Sequence, residues 1–204
     1  MREFREGRKQ RSQCASSIPP SATFRPVRQK ITDAGIDLKM LCYNMNVRST
    51  TDADIEYAFT MAKGLGVEIL TTSTQVSMAK RLAPFAEKHR IMVGFHGHDS
   101  VENPDEVSTE ATFETVFATS KYFGANLDIG HYTASGEDPL EFINAFHDRI
   151  THFHLKDRKR NRMPNIEDGL NMPWGEGETP LKPVLAHLRQ IKSAKPALIE
   201  YEYG

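Results

Sequence analysis

Imidazole and carboxylate side chains recur in this sequence about thirty residues apart, each time beside a short apolar run. His96 and His98 close one such run, Asp128 and His131 the next, His152, His154 and Asp157 a third, and Glu200 and Glu202 lie on the last. Imidazole nitrogen combined with carboxylate oxygen is the donor set of a divalent ion of the Mn, Zn, Co or Fe type, rather than of calcium or an iron–sulfur cluster. Asp128 stands between Leu127 and Ile129, and Glu200 between Ile199 and Tyr201. A carboxylate buried there without a partner is costly, and a metal or another cation removes that cost. A single histidine ending a strand is ordinarily structural, so the joint pattern carries the reading. His147, His152 and His187 lack such a context and are expected at the surface or in packing.

The elements that must position these groups alternate between β-rich apolar runs and stretches of helical period, the pattern of parallel βαβ units. Strands are expected at Ile36 to Tyr43, from Val67, from Ile91, at Asn126 to Ile129, at Ile150 to Leu155 and from Ala197, with no strand hairpins. Thr51 reads as the N-cap of a helix with a stripe of Ile55, Ala58, Phe59, Ala62 and Leu65, closed by Gly64 and Gly66. Further helices are expected at about Val76 to Lys88, from Val107 to Phe123 with Gly124 just past its end, and after Asp138-Pro139. A last one follows Thr179-Pro180, striped by Leu181, Val184, Leu185, Leu188 and Ile191. Six strands and five intervening helices fit either an open doubly wound sheet or a barrel. No glycine-rich phosphate loop follows the early strands, and polar groups recur at strand ends, which favours a barrel whose strand ends meet at one mouth.

Strict alternation from His154 puts His152 and Lys156 on the same inner face. The Lys156 amine there could bind a substrate oxygen, act as an acid or form a salt bridge. Arg158 opens a basic run to Arg162 that could meet a phosphate or simply be solvated. Trp174, the single tryptophan, could be a platform for a sugar ring or a loop anchor. The chain has 204 residues and a formal net charge of -1, but residues 1–30 carry eight basic and two acidic side chains, leaving an acidic body. That leader reads as a disordered tail, and an acidic body argues against nucleic acid as a partner. The longest apolar runs are too short for a membrane span. Cys14 and Cys42 match neither a disulfide framework nor a zinc pattern and read as reduced thiols in a cytoplasmic protein.

The motifs resemble those of the sugar phosphate isomerase/epimerase family, which has the xylose isomerase-like TIM barrel. His96-Gly97-His98 resembles its motif after strand five, and Leu127-Asp-Ile-Gly-His131 the one after strand six. His152-Phe-His-Leu-Lys-Asp157 is similar to its strand-seven motif, Gly175-Glu-Gly177 to the loop that follows, and Ile199-Glu-Tyr-Glu202 to strand eight. The resemblance implies metal ligands at His96, Asp128, His154 and Glu200, holding Mn, Zn, Co, Fe or Mg. It leaves Glu200 as the carboxylate base; Lys156 and His131 are expected to act with it, and His98, Asp157, Arg158 and Trp174 to contact substrate. Many epimerases of the family have a glutamate where His96 stands, as one of two acid/base carboxylates, so Glu200 remains here as the carboxylate base, with Glu202 on the same face as its substitute. The implied reaction is proton transfer next to the carbonyl of a small carbohydrate, through an enediolate, in a possible homo-oligomer.

The resemblance covers 31–204 and corresponds to strands three to eight of a (β/α)8 barrel. A closed barrel typically takes about 250 residues. A partial barrel is therefore expected, as a truncated product, a misplaced start or one part of a dimer, with truncation favoured. The other readings are an apurinic-endonuclease-like metal-dependent hydrolase, which would bring a basic groove, and a non-catalytic truncated barrel.

Overall fold

The computed structural model describes residues 18–161 and 169–202. Six strands form one parallel sheet: β1 (Met40–Cys42), β2 (Ile69–Thr72), β3 (Met92–His96), β4 (Phe123–Asp128), β5 (Ile150–Leu155) and β8 (Ala197–Ile199). Their order across the sheet is the order along the chain, β1-β2-β3-β4-β5-β8. A doubly wound sheet reverses direction at a switch point. This one never does, and the result is a half-barrel, an incomplete TIM barrel with its strand ends on one rim.

Local chemistry explains where the elements start and stop. In α2 (Asp52–Leu65) the Thr51 hydroxyl accepts from the Asp54 N–H at 3.2 Å, while the Asp54 carboxylate accepts from the Thr51 N–H at 2.8 Å, a reciprocal cap. Gly66 ends the helix at φ 68°, a left-handed turn that suits a residue without a Cβ. The stripe expected on this helix is buried in full. The helices α3 (Ala79–His89), α4 (Glu110–Thr119), α6 (Pro139–Phe146) and α7 (Leu181–Gln190) pack outside the sheet with it. Phe95 meets Phe123 edge-on at 5.0 Å and Phe113 meets Phe142 at the same separation, so the apolar core lies between strands and helices. The inner face of the sheet is left to polar groups.

Several expectations need correction. The leader boundary at residue 30 falls inside α1 (Arg25–Asp33), which is ordered because Phe24 packs on Tyr57 at 5.9 Å and a Cβ on Gly64 would collide with Ser21 and Phe24. Residues 1–17, with Cys14, lie outside the described residues. Gly124 belongs to β4 and not to a helix end, since a Cβ there would strike the carbonyl of Arg149 on the next unit. The first strand is shorter than expected, and Ile36 is exposed. Thr179 does not cap α7: its hydroxyl accepts from the Arg158 N–H at 3.0 Å instead. Leu185 and Ile191 of that helix face solvent. A short antiparallel ladder of β6 (Asp157–Arg158) with β7 (Asn171–Met172) also lies where no hairpin was expected. Among the described residues β1 and β8 each pair on one side only, and Ile199 at the β8 edge is 74% exposed. No described helix is long and apolar enough to cross a membrane.

His152 is fully buried on β5, a packing residue as expected. The Thr151 hydroxyl donates to the Ala125 carbonyl at 2.9 Å, so its oxygen can accept from Nδ1–H of His152, also at 2.9 Å. Burial, reinforced by His154 and His96 nearby, pushes this imidazole down to about 3. The unfolded chain binds that proton near the ordinary value of 6.5, so between the two values it holds more protons than the folded one. The stabilisation from a neutral His152 is therefore complete above about pH 6.5 and is lost as pH falls toward 3, by at most about 1.4 kcal/mol per pH unit. Urea midpoints between pH 7 and 4 should fall steeply for the wild type and less steeply for His152→Gln. Equal slopes would contradict this account.

Candidate metal centre and its cavity

Asp128 sits where β4 passes into α5 (Ile129–Ala134), a short helix that the sequence pattern did not announce. Its Oδ1 caps that helix, accepting from the Gly130 and His131 N–H groups at 2.9 and 2.8 Å. Its Oδ2 has no hydrogen-bond partner and is buried. His96, at the end of β3, brings Nε2 to 3.5 Å from Oδ2, and that nitrogen is likewise buried and unpartnered. Its other nitrogen, Nδ1, lies 3.1 Å from the Ser73 hydroxyl, which fixes the ring. Across the sheet His154 Nδ1 is 2.7 Å from Glu200 Oε2, and Asn126 Nδ2 is 3.4 Å from His154 Nε2. His96, Asp128, His154 and Glu200 can each offer one ligand atom within 4.8 Å of the others.

The strand that carries His154 also sends in Lys156 just past its end. Its ammonium lies 2.8 Å from Glu202, 3.2 Å from Glu200, 3.5 Å from Asp128 and 3.3 Å from His131 Nε2. Three carboxylates thus face one ammonium. Burial alone would lower the Lys156 pKa, but Asp128, Glu202 and Glu200 outweigh it and raise it, so the amine stays protonated. The hydrogen bond with His154 and then the Lys156 charge hold Glu200 well below the usual carboxylate range, against its burial. Burial would raise Asp128, but His96, His131 and Lys156 reverse the sign and keep it ionised. Burial pushes the His96 imidazole down, opposed by Asp128, so it is neutral and ready to be a ligand. Two bare buried atoms of ligand type, an excess of negative charge and a mixed imidazole–carboxylate donor set fit a divalent cation.

His96, His154, Glu200 and Lys156 border a cavity of about 560 Å³ on the inner face of the half-barrel, with Asp128 buried behind them, and Lys156 is the sole Lys or Arg lining it among the described residues. The structure places His98 and His131 on it as well. His98 Nδ1 bonds Glu106 at 2.7 Å, and His131 Nδ1 bonds Asp99 at 2.9 Å. Glu202 reaches Lys156 but remains half exposed and outside the four-residue group. Asp157 and Arg158, expected to touch substrate, are turned away. Asp157 accepts from the N–H groups of Gly175, Gly177 and Thr179 at 2.8 to 3.2 Å and so pins the loop. Arg158 is buried against Asp99 at 3.0 Å and the Gly169 carbonyl, with His131 in contact. Trp174 is 38% exposed and does not border the cavity. Arg162, the end of the basic run, lies outside the described residues. Ser73, Asp99, Glu106 and Asn126 were missed. Asn126 alone carried a signal, being two residues before Asp128 on one face of a strand.

Residues 70–204 match the family described as xylose isomerase-like TIM barrel. The chain belongs to that family. It is 27% identical over 118 residues to the inosose dehydratase of Lacticaseibacillus casei, covering 52% of this chain and 38% of that protein. Over 135 residues it is 27% identical to the inosose dehydratase of Clostridium tetani, covering 60% and 44%. The matches therefore span less than half the length of these curated relatives. Among solved structures, a xylose isomerase domain protein from Planctomyces limnophilus has a TM-score of 0.72 at 16% identity, over 90% of this chain and 76% of that one. The IolI protein with a bound zinc atom has a TM-score of 0.67 at 16% identity, over 87% and 72%. Identities this low speak to the fold.

Gly130 offers a test of how tightly the rim is packed. A Cβ there would collide with Lys156 Cγ and come within 2.9 Å of the Lys156 carbonyl oxygen. Gly130→Ala should therefore destabilise the protein by about 1–3 kcal/mol and move the Lys156 ammonium off its carboxylates. Thermal melts and a crystal structure of the variant check both effects, and an unshifted Lys156 would contradict them.

Proposed function

We propose that the chain is a metal-dependent enzyme that withdraws a proton from the carbon next to a carbonyl in a small carbohydrate-like molecule. The observation that supports this most is the gathering of His96, Asp128, His154 and Glu200 beside the Lys156 ammonium, with His96 Nε2 and Asp128 Oδ2 buried and bare. These four residues would hold a divalent cation, which as a Lewis acid would polarise the substrate oxygen. The remaining work falls to the protein's own groups. Glu200, kept ionised by His154 and Lys156, accepts the proton from carbon. The C–H electron pair becomes the new carbon–carbon double bond, and the carbonyl oxygen takes up the negative charge. Lys156, kept protonated, donates a hydrogen bond to that oxygen. His131, 3.3 Å from the Lys156 amine, is placed to pass a proton on.

Two outcomes branch from this shared step. Return of the proton to carbon makes an isomerase or epimerase, the outcome expected from the sequence motifs. Delivery of a proton to a hydroxyl on the next carbon expels water and makes a dehydratase. The second branch is supported by His96, which stands where many epimerases of this fold carry a second carboxylate, and by the dehydratases among the relatives. An apurinic-endonuclease-like role fits less well, because the cavity is acidic where a nucleic-acid groove would be basic.

The decisive measurement is NMR in deuterium oxide with manganese and a panel of fructose, tagatose and an inosose. Deuterium should enter beside the carbonyl, and growth of enone absorbance would mark the dehydratase branch. No exchange with any of them, despite bound metal, would end the proposal. Asp128→Ala and His154→Ala should lose divalent metal in elemental analysis of the purified protein. Lys156→Met should keep the metal but slow exchange by about 10²–10³-fold.

A further inference from the structure

A second cavity, of about 320 Å³, opens off the first and shares Asn44, Ser73 and His98 with it. Its walls come from the segments that follow β1 and β2. Those segments are tied together by side-chain oxygens accepting backbone N–H groups. Asn44 Oδ1 accepts from Ser73 at 2.9 Å, Gln75 Oε1 from Val47 at 2.9 Å, and Asn46 Oδ1 from Arg48 at 2.9 Å.

These bonds settle which way each carboxamide faces, because a backbone N–H can bond only to the oxygen end. None of the three amide nitrogens has an acceptor among the described residues, and all three residues line the cavity. Thr74 lines it too, buried, with a hydroxyl that has no partner among the described residues. A buried hydroxyl is ordinarily satisfied, so one left bare beside a cavity points to a ligand that completes it. No Lys or Arg lines this cavity among the described residues, and Glu106 adds negative charge. Arg81, the basic side chain that reaches the Val47 and Thr50 carbonyls beside this cavity, is committed to them and to Asp52.

Neutral amides and hydroxyls suit hydroxyl groups, whereas a phosphate beside Glu106 would lack the charge-assisted donors that bind it most strongly. We propose that this second cavity binds the uncharged, hydroxyl-bearing end of the substrate whose carbonyl end enters the His96–Glu200 cavity, so that the natural substrate is not phosphorylated. The assignment rests on the function proposed above for the neighbouring site.

The test is calorimetric titration of the manganese-loaded protein with D-glucitol, D-glucitol 6-phosphate and glycerol. D-Glucitol should bind at least about tenfold more tightly than its 6-phosphate, and glycerol should be too short to reach the second cavity. Gln75→Glu keeps the oxygen that holds the Val47 N–H and removes the amide donor, while Thr74→Val removes the bare hydroxyl at nearly constant volume. Each should weaken D-glucitol by about fivefold or more and leave glycerol and manganese affinity unchanged. Equal or tighter binding of the 6-phosphate, absence of D-glucitol binding, or wild-type D-glucitol affinity in both variants would overturn the assignment. Deuterium exchange into fructose, tagatose or an inosose is a separate readout: its absence in a protein that binds D-glucitol would sink the proposed reaction and spare the subsite.

Discussion

Burying the Asp128 carboxylate is the constraint around which the inner face is organised. An ionised acid shut away from water is tolerable only if both its oxygens are answered. One is answered by the first turn of α5, whose N–H groups it caps. The other faces His96, His131 and Lys156, each of which favours the charged form. The capping bond also fixes where α5 begins, and with it the position of His131. A single side chain thus joins a strand end, a helix start and the polar cavity.

The division of labour between the two faces of the sheet follows from its winding. Helices cover the outside, and the aromatic residues of β3 and β4 together with those of α4 and α6 build the core there. The inside is free of that duty and can hold imidazoles, carboxylates and an ammonium in contact with one another. His96, Asp128, His154 and Glu200 each reach the rim from a different strand, so the cluster forms only once the parallel register is in place. Residues as far apart in the chain as His154 and Glu200 become neighbours through hydrogen bonds between β3, β4, β5 and β8.

The sequence was most legible where one physical signal acted alone. The run Ile150 to Leu155 was read with its observed bounds, and the Thr51 cap and the buried stripe of α2 were equally direct. Legibility failed where tertiary contact overrode a local preference. Gly124 looks like a helix terminator, yet it is in a strand because Arg149 passes too close for a side chain. Thr179 before Pro180 looks like a cap, yet its hydroxyl serves Arg158. In the site, the residues at strand ends were visible through their spacing, and the structure gathers His96, Asp128, His154 and Glu200. Ser73 acts through His96, and Asp99 through His131 and Arg158, contacts that leave no pattern in one sequence. Asp157 and Arg158 have the right chemistry for a ligand, but their hydrogen bonds go to the surrounding loop and to Asp99.

Lys156 and Asp157 are consecutive residues, one turned into the cavity and the other clasping the backbone from Gly175 to Thr179. The peptide between them works as a fulcrum. Any swing of the outer loop that loosens its grip on Asp157 must tilt this peptide and drag the neighbouring amine relative to the acids it serves. Geometry at the centre is in this way coupled to chain well outside it, through one covalent link and no moving domain.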